Sequence, residues 1–266
     1  MSGGTDPIDP YERIAVFYDI EHDQFVEDIE CYASLLAQWY ETPARVLEIG
    51  AGTGRIAAAL AVAGHRVTAV EPSVAMRARL FIRLAQLPER VMRRVRVVDG
   101  SAAAPALEPL EHFDVVLFGQ GVFAHLLTHD DRHRALQRAR SYLDEGGRAL
   151  IDVDLAGPRR LFDAPGRVWW LGTWSSSTDG SEISHFVAGV PGNTPDIVDV
   201  AHFYDAVSPD GAMRRTTARM SLSVFSPSVI ELAALRAGFT PEEQYGGYDL
   251  APLEPASTRQ LLIARA

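Results

Sequence analysis

Three glycines in one short loop are the first feature of this sequence that could bind a ligand. Gly50, Gly52 and Gly54 follow the apolar segment Arg45–Ile49 and precede a segment rich in alanine and leucine. Glycines let a backbone approach a ligand closely, and the N-terminus of a helix presents N–H groups that have no partner within the helix. The strand, loop and helix together predict a nucleotide-type binding site.

The loop departs from the patterns that bind phosphate groups. A dinucleotide fingerprint, G-x-G-x-x-G, needs a third glycine where this chain has Arg55, and a P-loop needs a G-K-[ST] ending that the chain lacks. The acid Glu48 lies two residues before the first glycine. A carboxylate at that place repels a pyrophosphate and attracts an ammonium group. We therefore expect a cofactor that carries an ammonium group.

Two more acids follow the next two predicted strands. Glu71 comes after the strand 67–70, about 20 residues beyond the glycines, where an acid can bind both hydroxyls of a ribose. Asp99 comes after the strand 95–98 and could accept a hydrogen bond from an adenine amino group. Strand ends often carry acids as caps, so each of these acids alone says little. Together with the glycine loop, they predict a cofactor that contains a nucleoside.

Strands and helices alternate in the part of the chain that must position these residues. The predicted strands are 45–49, 67–70, 95–98, 113–118 and 149–153, and the predicted helices are 25–40, 54–63, 73–85 and 130–143, the last ending at a glycine pair. This alternation predicts a parallel, doubly wound α/β sheet. From 157 to 225 the pattern changes to β-rich pieces and turns without a good helix, and a helix at 226–237 and strands at 240–245 and 260–264 follow. We predict a core formed by 1–156 and 226–266, with a short disordered leader at 1–10 and N-terminal helices as a lid, and an antiparallel β insertion at 157–225.

With these motifs, the chain resembles the class I S-adenosylmethionine-dependent methyltransferases. The resemblance rests on the segments VLEIGAGTGR, VTAVEPS, VVDGSA and FDVVLFGQGVFAHL, and it extends to small-molecule methyltransferases, including those acting on antibiotic sugars. It implies a Rossmann-like sheet of seven strands whose last strand is antiparallel, S-adenosylmethionine as the cofactor, and a β-rich insertion that covers the substrate.

The resemblance also assigns cofactor contacts by position. The loop that contains Gly50, Ala51, Gly52 and Gly54 would hold the methionine part, and Glu48 would act near its amino group. The other implied contacts are Tyr18 as a lid residue, Glu71 at the ribose, Pro72 and Met76 beside the adenine, Asp99, Gly100 and Ser101 at the adenine edge, and Gly119 and Gln120 near the sulfonium.

The residues that would act on the acceptor are less sharply indicated. His125 follows the strand 113–118, beside the expected methyl donor, where it could be a general base or a packing histidine that orients a loop. Further candidates around the same opening are Asp154, His185, His202, Tyr204, Tyr245 and Asp249. We expect methyl transfer to an N or O atom of a small organic acceptor. The alternatives are a non-methylating cyclisation or rearrangement with the same cofactor, and a non-catalytic partner subunit.

Composition narrows the partners of the chain. All 25 basic residues are arginines and the net charge is −10, which argues against Schiff-base chemistry and against nucleic acid. No apolar run reaches the roughly 18 residues that a membrane span needs, and the single Cys31 excludes an internal disulfide. His129, Asp130, Asp131 and His133 open a predicted helix, which favours a solvated helix start over a metal site. We expect a cytoplasmic, metal-free enzyme of a bacterial natural-product pathway, with the insertion contributing a homodimer contact.

Overall fold

The computed structural model of the chain describes residues 9–108 and 111–266, so most of the predicted leader lies outside the described residues. The helices are α1 (Pro10–His22), α2 (Glu27–Trp39), α3 (Arg55–Val62), α4 (Val74–Ala85), α5 (Glu89–Met92), α6 (His129–Ser141), α7 (Ala156–Asp163) and α8 (Pro227–Arg236). The strands are β1 (Arg45–Ile49), β2 (Arg66–Val70), β3 (Val95–Val98), β4 (Gly100–Ser101), β5 (Ala104–Pro105), β6 (Phe113–Phe118), β7 (Leu143–Asp154), β8 (Val168–Ser175), β9 (Glu182–Pro191), β10 (Ile197–Val207), β11 (Met213–Ser223), β12 (Thr240–Tyr245) and β13 (Arg259–Arg265). None of the described helices combines the length and the apolar character that crossing a membrane requires.

Seven strands form the main sheet, in the order β12–β13–β7–β6–β1–β2–β3. The last strand, β13, is antiparallel to both of its neighbours, whereas β7, β6, β1, β2 and β3 are parallel. The predicted Rossmann-like sheet with an antiparallel last strand is therefore confirmed. Ile49 pairs with both Val70 and Phe118, so β1, β2 and β6 end at the same level. The loops after these strands consequently meet at one edge of the sheet, where open α/β sheets bind their ligands.

Helices cover both faces of this sheet. Leu47 and Ile49 of β1 pack into a cluster with α6 and α8, whereas Val46 packs with α2, α3 and α4. Successive side chains of a strand point to opposite faces, so a central strand between two helical layers must be apolar throughout. Glu48 is the exception in β1, because it is a buried acid in an otherwise apolar strand. A buried acid of this kind needs a charge partner or a function.

The insertion forms a second, antiparallel sheet in the order β11–β10–β9–β8, which we call the cap. Ile183, Tyr204 and Ala218 on one face of the cap pack around Ile14 of α1. A second cluster joins the cap to Leu161 of α7. The antiparallel cap was predicted from the sequence, whereas its contact with α1 was not. The boundaries of the core and the insertion stay a prediction.

Three local expectations about the elements were wrong. The insertion does contain a helix, α7, at its start. The helix α6 ends at Ser141 and not at the following glycines, because the chain enters β7 at Leu143. Gly146 lies inside β7 with a φ of +75°, where the pairing of β6 with β7 shifts register and forms a bulge. The leader prediction also ended too late, because α1 begins at Pro10, with Asp9 accepting a hydrogen bond from the Tyr11 N–H as its N-cap.

Candidate active site

A cavity of about 500 Å³ opens at the carboxyl edge of β1, β2 and β6, below α1. Its wall includes most of the cofactor contacts predicted from the sequence, namely Tyr18, Glu48, Gly50, Ala51, Gly52, Glu71, Pro72, Met76, Ser101, Gly119 and Gln120. His125 and Tyr11 also line it. Among the described residues, none of the cap strands lines this cavity. The cap contacts the site through α1 and also directly, because the Ser223 hydroxyl of β11 donates a hydrogen bond of 3.1 Å to the carbonyl of Leu126 in the cavity wall.

The three glycines of the loop have different structural roles, although all three have a positive φ. A Cβ atom at Gly50 would lie 2.6 Å from Cγ2 of Val122, and one at Gly54 would lie 2.6 Å from Cγ of Leu80. A Cβ atom at Gly52 would meet no atom within 4 Å. Gly50 and Gly54 thus permit close packing, and Gly54 does not line the cavity. Gly52 leaves room for a ligand beside the backbone.

Glu48 ends inside the cavity without a partner for one of its oxygens. Its side chain is 2% exposed, and Oε2 has no hydrogen-bond partner in the described part of the chain. Burial raises the pKa of Glu48 to about 8, although the positive charge of Arg55 opposes this shift. Arg55 itself is tied to α2 by a buried ion pair with Asp28. Glu48 therefore has the free acceptor atom that an ammonium group would satisfy.

Glu71 is held in a fixed orientation at the end of β2. Its Oε2 accepts a hydrogen bond of 2.8 Å from the Gly52 N–H, and its Oε1 accepts one of 2.8 Å from the Ser73 N–H. Each carboxylate oxygen can accept a second hydrogen bond. Burial raises the pKa of Glu71, and the two backbone N–H groups oppose that shift. The free lone pairs of Glu71 fit a pair of ribose hydroxyls.

The expectation for Asp99 is not supported by its position. Its side chain is 68% exposed, forms an ion pair of 2.6 Å with Arg77 and does not line the cavity. Gly100 lies in the β4–β5 hairpin, where a Cβ atom would meet the backbone oxygen of Ala104 at 2.6 Å. Ser101 and the neighbouring Ala102 do form part of the wall. This part of the cavity wall is thus formed by the chain after Asp99, whose side chain is exposed to solvent.

The loop after β6 is held by a buried acid that sequence reasoning missed. Gln120 has a φ of +48° and donates its backbone N–H to Oδ2 of Asp152 at 3.3 Å. Asp152 is fully buried in β7, accepts a hydrogen bond of 2.7 Å from the Tyr248 hydroxyl, and also contacts Tyr32 and Arg259. The only sequence signal was an acid inside a predicted apolar strand. Asp152 stabilises the left-handed backbone that places Gln120 in the cavity wall.

His125 is the one predicted catalytic candidate that lines the cavity. It lies in the short 3₁₀ turn Val122–His125, and its Nε2 is 2.9 Å from the hydroxyl of Tyr11 on α1. Burial lowers the pKa of His125, so the imidazole is neutral near pH 7. Tyr11 was missed because it lies 114 residues away in the sequence, at the edge of the predicted leader.

The other predicted catalytic residues do not line the cavity. Asp154 accepts hydrogen bonds of 2.9 Å from the N–H groups of Ala156 and Gly157, so it caps α7. His185, His202 and Tyr204 belong to the cap face that contacts α1. Elsewhere, Tyr245 bonds Glu243 and Asp249 accepts from the Ala251 N–H. In the described ranges, no group of three or more His, Cys, Asp or Glu side chains is arranged to hold a metal ion.

The N-terminal half of the core matches known proteins in sequence. A family model described as a methyltransferase domain matches residues 47–149. The protein-L-isoaspartate O-methyltransferase of Methylorubrum populi is 38% identical over 117 residues, which are 44% of this chain and 48% of that protein. The chain thus spans about half the length of this relative. The residues matched by the family model include the glycine loop, Glu71 and β6.

Solved structures resemble the chain over almost its whole length. The methyltransferase CcbJ from Streptomyces caelestis superposes with a TM-score of 0.79 at 24% identity and covers 97% of both chains. An amino pentose methyltransferase of calicheamicin biosynthesis from Micromonospora echinaspora, solved with S-adenosylmethionine, superposes with a TM-score of 0.72 at 18% identity and covers 99% of both chains. At these identities, the likeness shows that the whole chain, cap included, shares their fold.

Proposed function

We propose that this chain, whose residues 47–149 match the methyltransferase-domain family model, transfers the methyl group of S-adenosylmethionine to an N or O atom of a small organic acceptor. The observation that carries the proposal is the buried, unpartnered Oε2 of Glu48 in the same cavity as the fixed carboxylate of Glu71. An ammonium group and a ribose diol are the two groups that these acids suit. S-adenosylmethionine carries both.

The residues around the cavity supply distinct parts of such a site. Glu48 would bind the amino group, the backbone at Gly52 leaves space for the methionine chain, and Glu71 would bind the ribose. Met76, which is buried, offers an apolar contact for the adenine. When bound, the cofactor supplies a methyl group on a positively charged sulfur. Methyl transfer is then mainly a matter of aligning the acceptor atom with that methyl group and excluding water.

Tyr11 and His125 are suited to orient the acceptor. Because His125 is neutral, its Nε2 can accept the hydroxyl proton of Tyr11. The Tyr11 oxygen then has lone pairs that can accept a hydrogen bond from an N–H or O–H group of the acceptor. Such a bond would turn the lone pair of the acceptor atom towards the methyl group. His125 would share the proton that the acceptor loses.

The structural relatives support a small acceptor. One of them is named as an amino pentose methyltransferase, and its likeness covers 99% of this chain and so includes the cap. The relative matched in sequence is instead an O-methyltransferase. Both nitrogen and oxygen acceptors therefore stay within the proposal. A nitrogen on an amino sugar is the first acceptor to test.

Calorimetry with S-adenosylmethionine and S-adenosylhomocysteine tests the proposal. The unmodified protein should bind both, and Glu71→Ala should weaken binding about a hundredfold because two hydrogen bonds to a charged group are lost. Glu12→Ala, which removes an exposed acid of α1, is the matched control and should bind normally. Binding of neither compound would reject the proposal. Turnover of an acceptor that leaves S-adenosylmethionine intact would instead support a non-methylating reaction.

A further inference from the structure

A chain of polar side chains connects α1 to the cap next to the cavity. Glu21 of α1 is 11% exposed, and its Oε1 lies 2.8 Å from Nδ1 of His185 in β9. Its Oε2 accepts a hydrogen bond of 2.9 Å from the Tyr204 hydroxyl in β10. The other ring nitrogen of His185, Nε2, lies 3.0 Å from Nδ1 of His202 in β10. Both oxygens of Glu21 are therefore used by the cap.

The chemistry of these groups fixes the direction of every hydrogen bond in the chain. An ionised Glu21 can only accept, so Nδ1 of His185 must carry the proton. In the tautomer with the proton on Nδ1 alone, His185 has its lone pair on Nε2, so Nδ1 of His202 must donate to it. His202 in turn keeps its lone pair on Nε2, which is buried and has no partner in the described part of the chain. Both histidines are thereby held in the Nδ1–H tautomer.

The protonation states agree with this direction. Burial acts to raise the pKa of Glu21, but the hydrogen bonds from His185 and Tyr204 contribute to lowering it overall. Burial lowers the pKa of His202 to about 4. Near pH 7, Glu21 is therefore ionised and His202 is neutral.

The chain matters to the site because α1 forms part of the cavity wall. Tyr11 and Tyr18 of α1 line the cavity, and Tyr18 lies one helical turn before Glu21. Phe17 stacks on Tyr204 with ring centroids 4.6 Å apart, so α1 also makes apolar contact with the cap at this point. In contrast, the described strands of the cap do not reach the cavity. The contact of α1 with the cap therefore contributes to the position of the two tyrosines, together with the ion pairs between Asp19 and the arginines of α4.

We propose that Glu21 is a positioning residue that holds α1 on the cap by accepting hydrogen bonds from His185 and Tyr204, sets the Nδ1–H tautomers of His185 and His202, and so fixes Tyr11 and Tyr18 in the wall of the active site. The proposal rests on the proposed function only in the binding test, which uses S-adenosylhomocysteine as the ligand of the cavity. The tautomers can be measured on the protein without any ligand.

Nitrogen NMR of the histidine rings tests the direction of the chain. In the ¹⁵N-labelled protein, two-bond correlations should show protons on Nδ1 of both His185 and His202. The variant Glu21→Gln keeps a side chain of the same shape, but its amide can meet His185 with either its oxygen or its N–H₂ group. The strict preference for Nδ1–H should then be lost and Nε2–H forms of both rings should appear, because the chain of bonds can also form in the opposite direction when the N–H₂ group donates to His185. Glu12→Gln on the same helix should change neither ring. Nε2–H tautomers in the unmodified protein would overturn the proposal.

Binding of S-adenosylhomocysteine tests the positioning role. Glu21→Ala removes both hydrogen bonds that Glu21 accepts from the cap, while the ion pairs of α1 with α4 remain, and it should weaken binding about tenfold, the effect of losing one good contact in the cavity wall. Glu21→Gln should bind within about twofold of the unmodified protein, because its bonds persist, and the control Glu12→Ala should bind normally.

A second variant keeps the test decisive if Glu21→Ala does not fold, which circular dichroism would reveal. Tyr204→Phe removes one of the two hydrogen bonds that Glu21 accepts from the cap, and it should weaken binding of S-adenosylhomocysteine about threefold. Unchanged affinity in the folded Glu21→Ala or Tyr204→Phe variant would overturn the positioning role. If the unmodified protein binds no S-adenosylhomocysteine, the proposed function fails, whereas the NMR result still decides the direction of the chain.

Discussion

The hydroxyl of Tyr11 and Nε2 of His125 lie 2.9 Å apart and join the first helix to the turn that follows β6. Their rings also meet edge to face, with centroids 5.7 Å apart. Both residues line the cavity, Tyr11 from α1 and His125 from the turn after β6. The acceptor side of the proposed site is thus shared between two segments that approach each other only when α1 is in place.

Removing the Tyr11 hydroxyl should impair turnover more than cofactor binding. The acceptor for this test would come from a screen of amino sugars. We expect Tyr11→Phe to lower kcat/KM for that acceptor about a hundredfold, because the group that orients the acceptor is lost. The affinity for S-adenosylhomocysteine should change by less than about twofold, because Glu48 and Glu71 are intact. Tyr40→Phe removes a hydroxyl that bonds the Asp114 backbone far from the cavity, and it should leave both values unchanged. Equal losses in the two variants would contradict a role for Tyr11 in orienting the acceptor.

Glu48 should release a proton when the cofactor binds. Its pKa is about 8 because of burial, so most of the protein carries a protonated Glu48 at pH 7. An ammonium group beside it favours the carboxylate and lowers that pKa, which releases close to one proton per cofactor bound. Calorimetry at pH 7 in buffers of different ionisation enthalpy measures this number. Glu48→Gln should release none and bind about tenfold more weakly. Equal proton release by both proteins would rule out Glu48 as the source.

Two alanine substitutions in the glycine loop should separate an effect on stability from an effect on cofactor binding. Gly50→Ala places a Cβ atom 2.6 Å from Val122 at a positive φ and should cost about 2–4 kcal/mol of unfolding free energy. Gly52→Ala meets no neighbour and should cost only about 1–2 kcal/mol, from its positive φ. The Gly52 variant should nevertheless lose most of its cofactor affinity, because its new methyl group enters the cavity. Urea unfolding and calorimetry measure the two effects, and a Gly52 variant with normal affinity would contradict the placement of the ligand.

Asp152 should be the most sensitive buried acid of the core. We expect Asp152→Asn to destabilise the fold by about 3–5 kcal/mol, because it removes the buried carboxylate that pairs with the half-buried Arg259. Asp154→Asn, two residues later, alters only the cap of α7 and should cost about 1 kcal/mol or less. Urea unfolding of both variants provides the comparison. Similar small losses would show that Asp152 does not hold the loop at Gln120.

The cap should lose stability as the pH falls. The pKa of His202 is lowered from 6.5 to about 4 by burial and by the charges of His185 and His125, while Glu21 opposes the shift. Between pH 6.5 and pH 4, His202 therefore binds a proton in the unfolded chain but stays neutral in the folded chain. The free energy of unfolding should decrease by up to about 3 kcal/mol as the pH falls from 6.5 to 4. Urea titrations of the unmodified protein and of His202→Gln measure this term, and identical slopes would exclude His202 as its source.

The sequence determined the donor side of the site because that side is built from local pieces. An apolar strand, a glycine loop and a helix are adjacent in the chain, and the parallel sheet brings Glu48 and Glu71 to the same edge. The hydrophobic pattern likewise predicted the sheet, because a strand buried on both faces must be apolar. Asp99 shows the limit of this reasoning, since a hairpin of a few residues was enough to turn its side chain to solvent.

Only the tertiary structure decided the acceptor side and the lid. Tyr11 meets His125 across 114 residues, Tyr32 meets Asp152 across 120, and Glu21 meets His185 across 164. No periodicity relates such residues, because their contact depends on how α1 and the cap pack on a finished core. The same packing separated His185 and Tyr204 from the cavity, although both are polar residues of the predicted insertion. The physical reason is that backbone pairing between neighbouring strands fixes where the residues at their ends lie. In contrast, α1 and the cap meet through side chains that only the folded chain brings together.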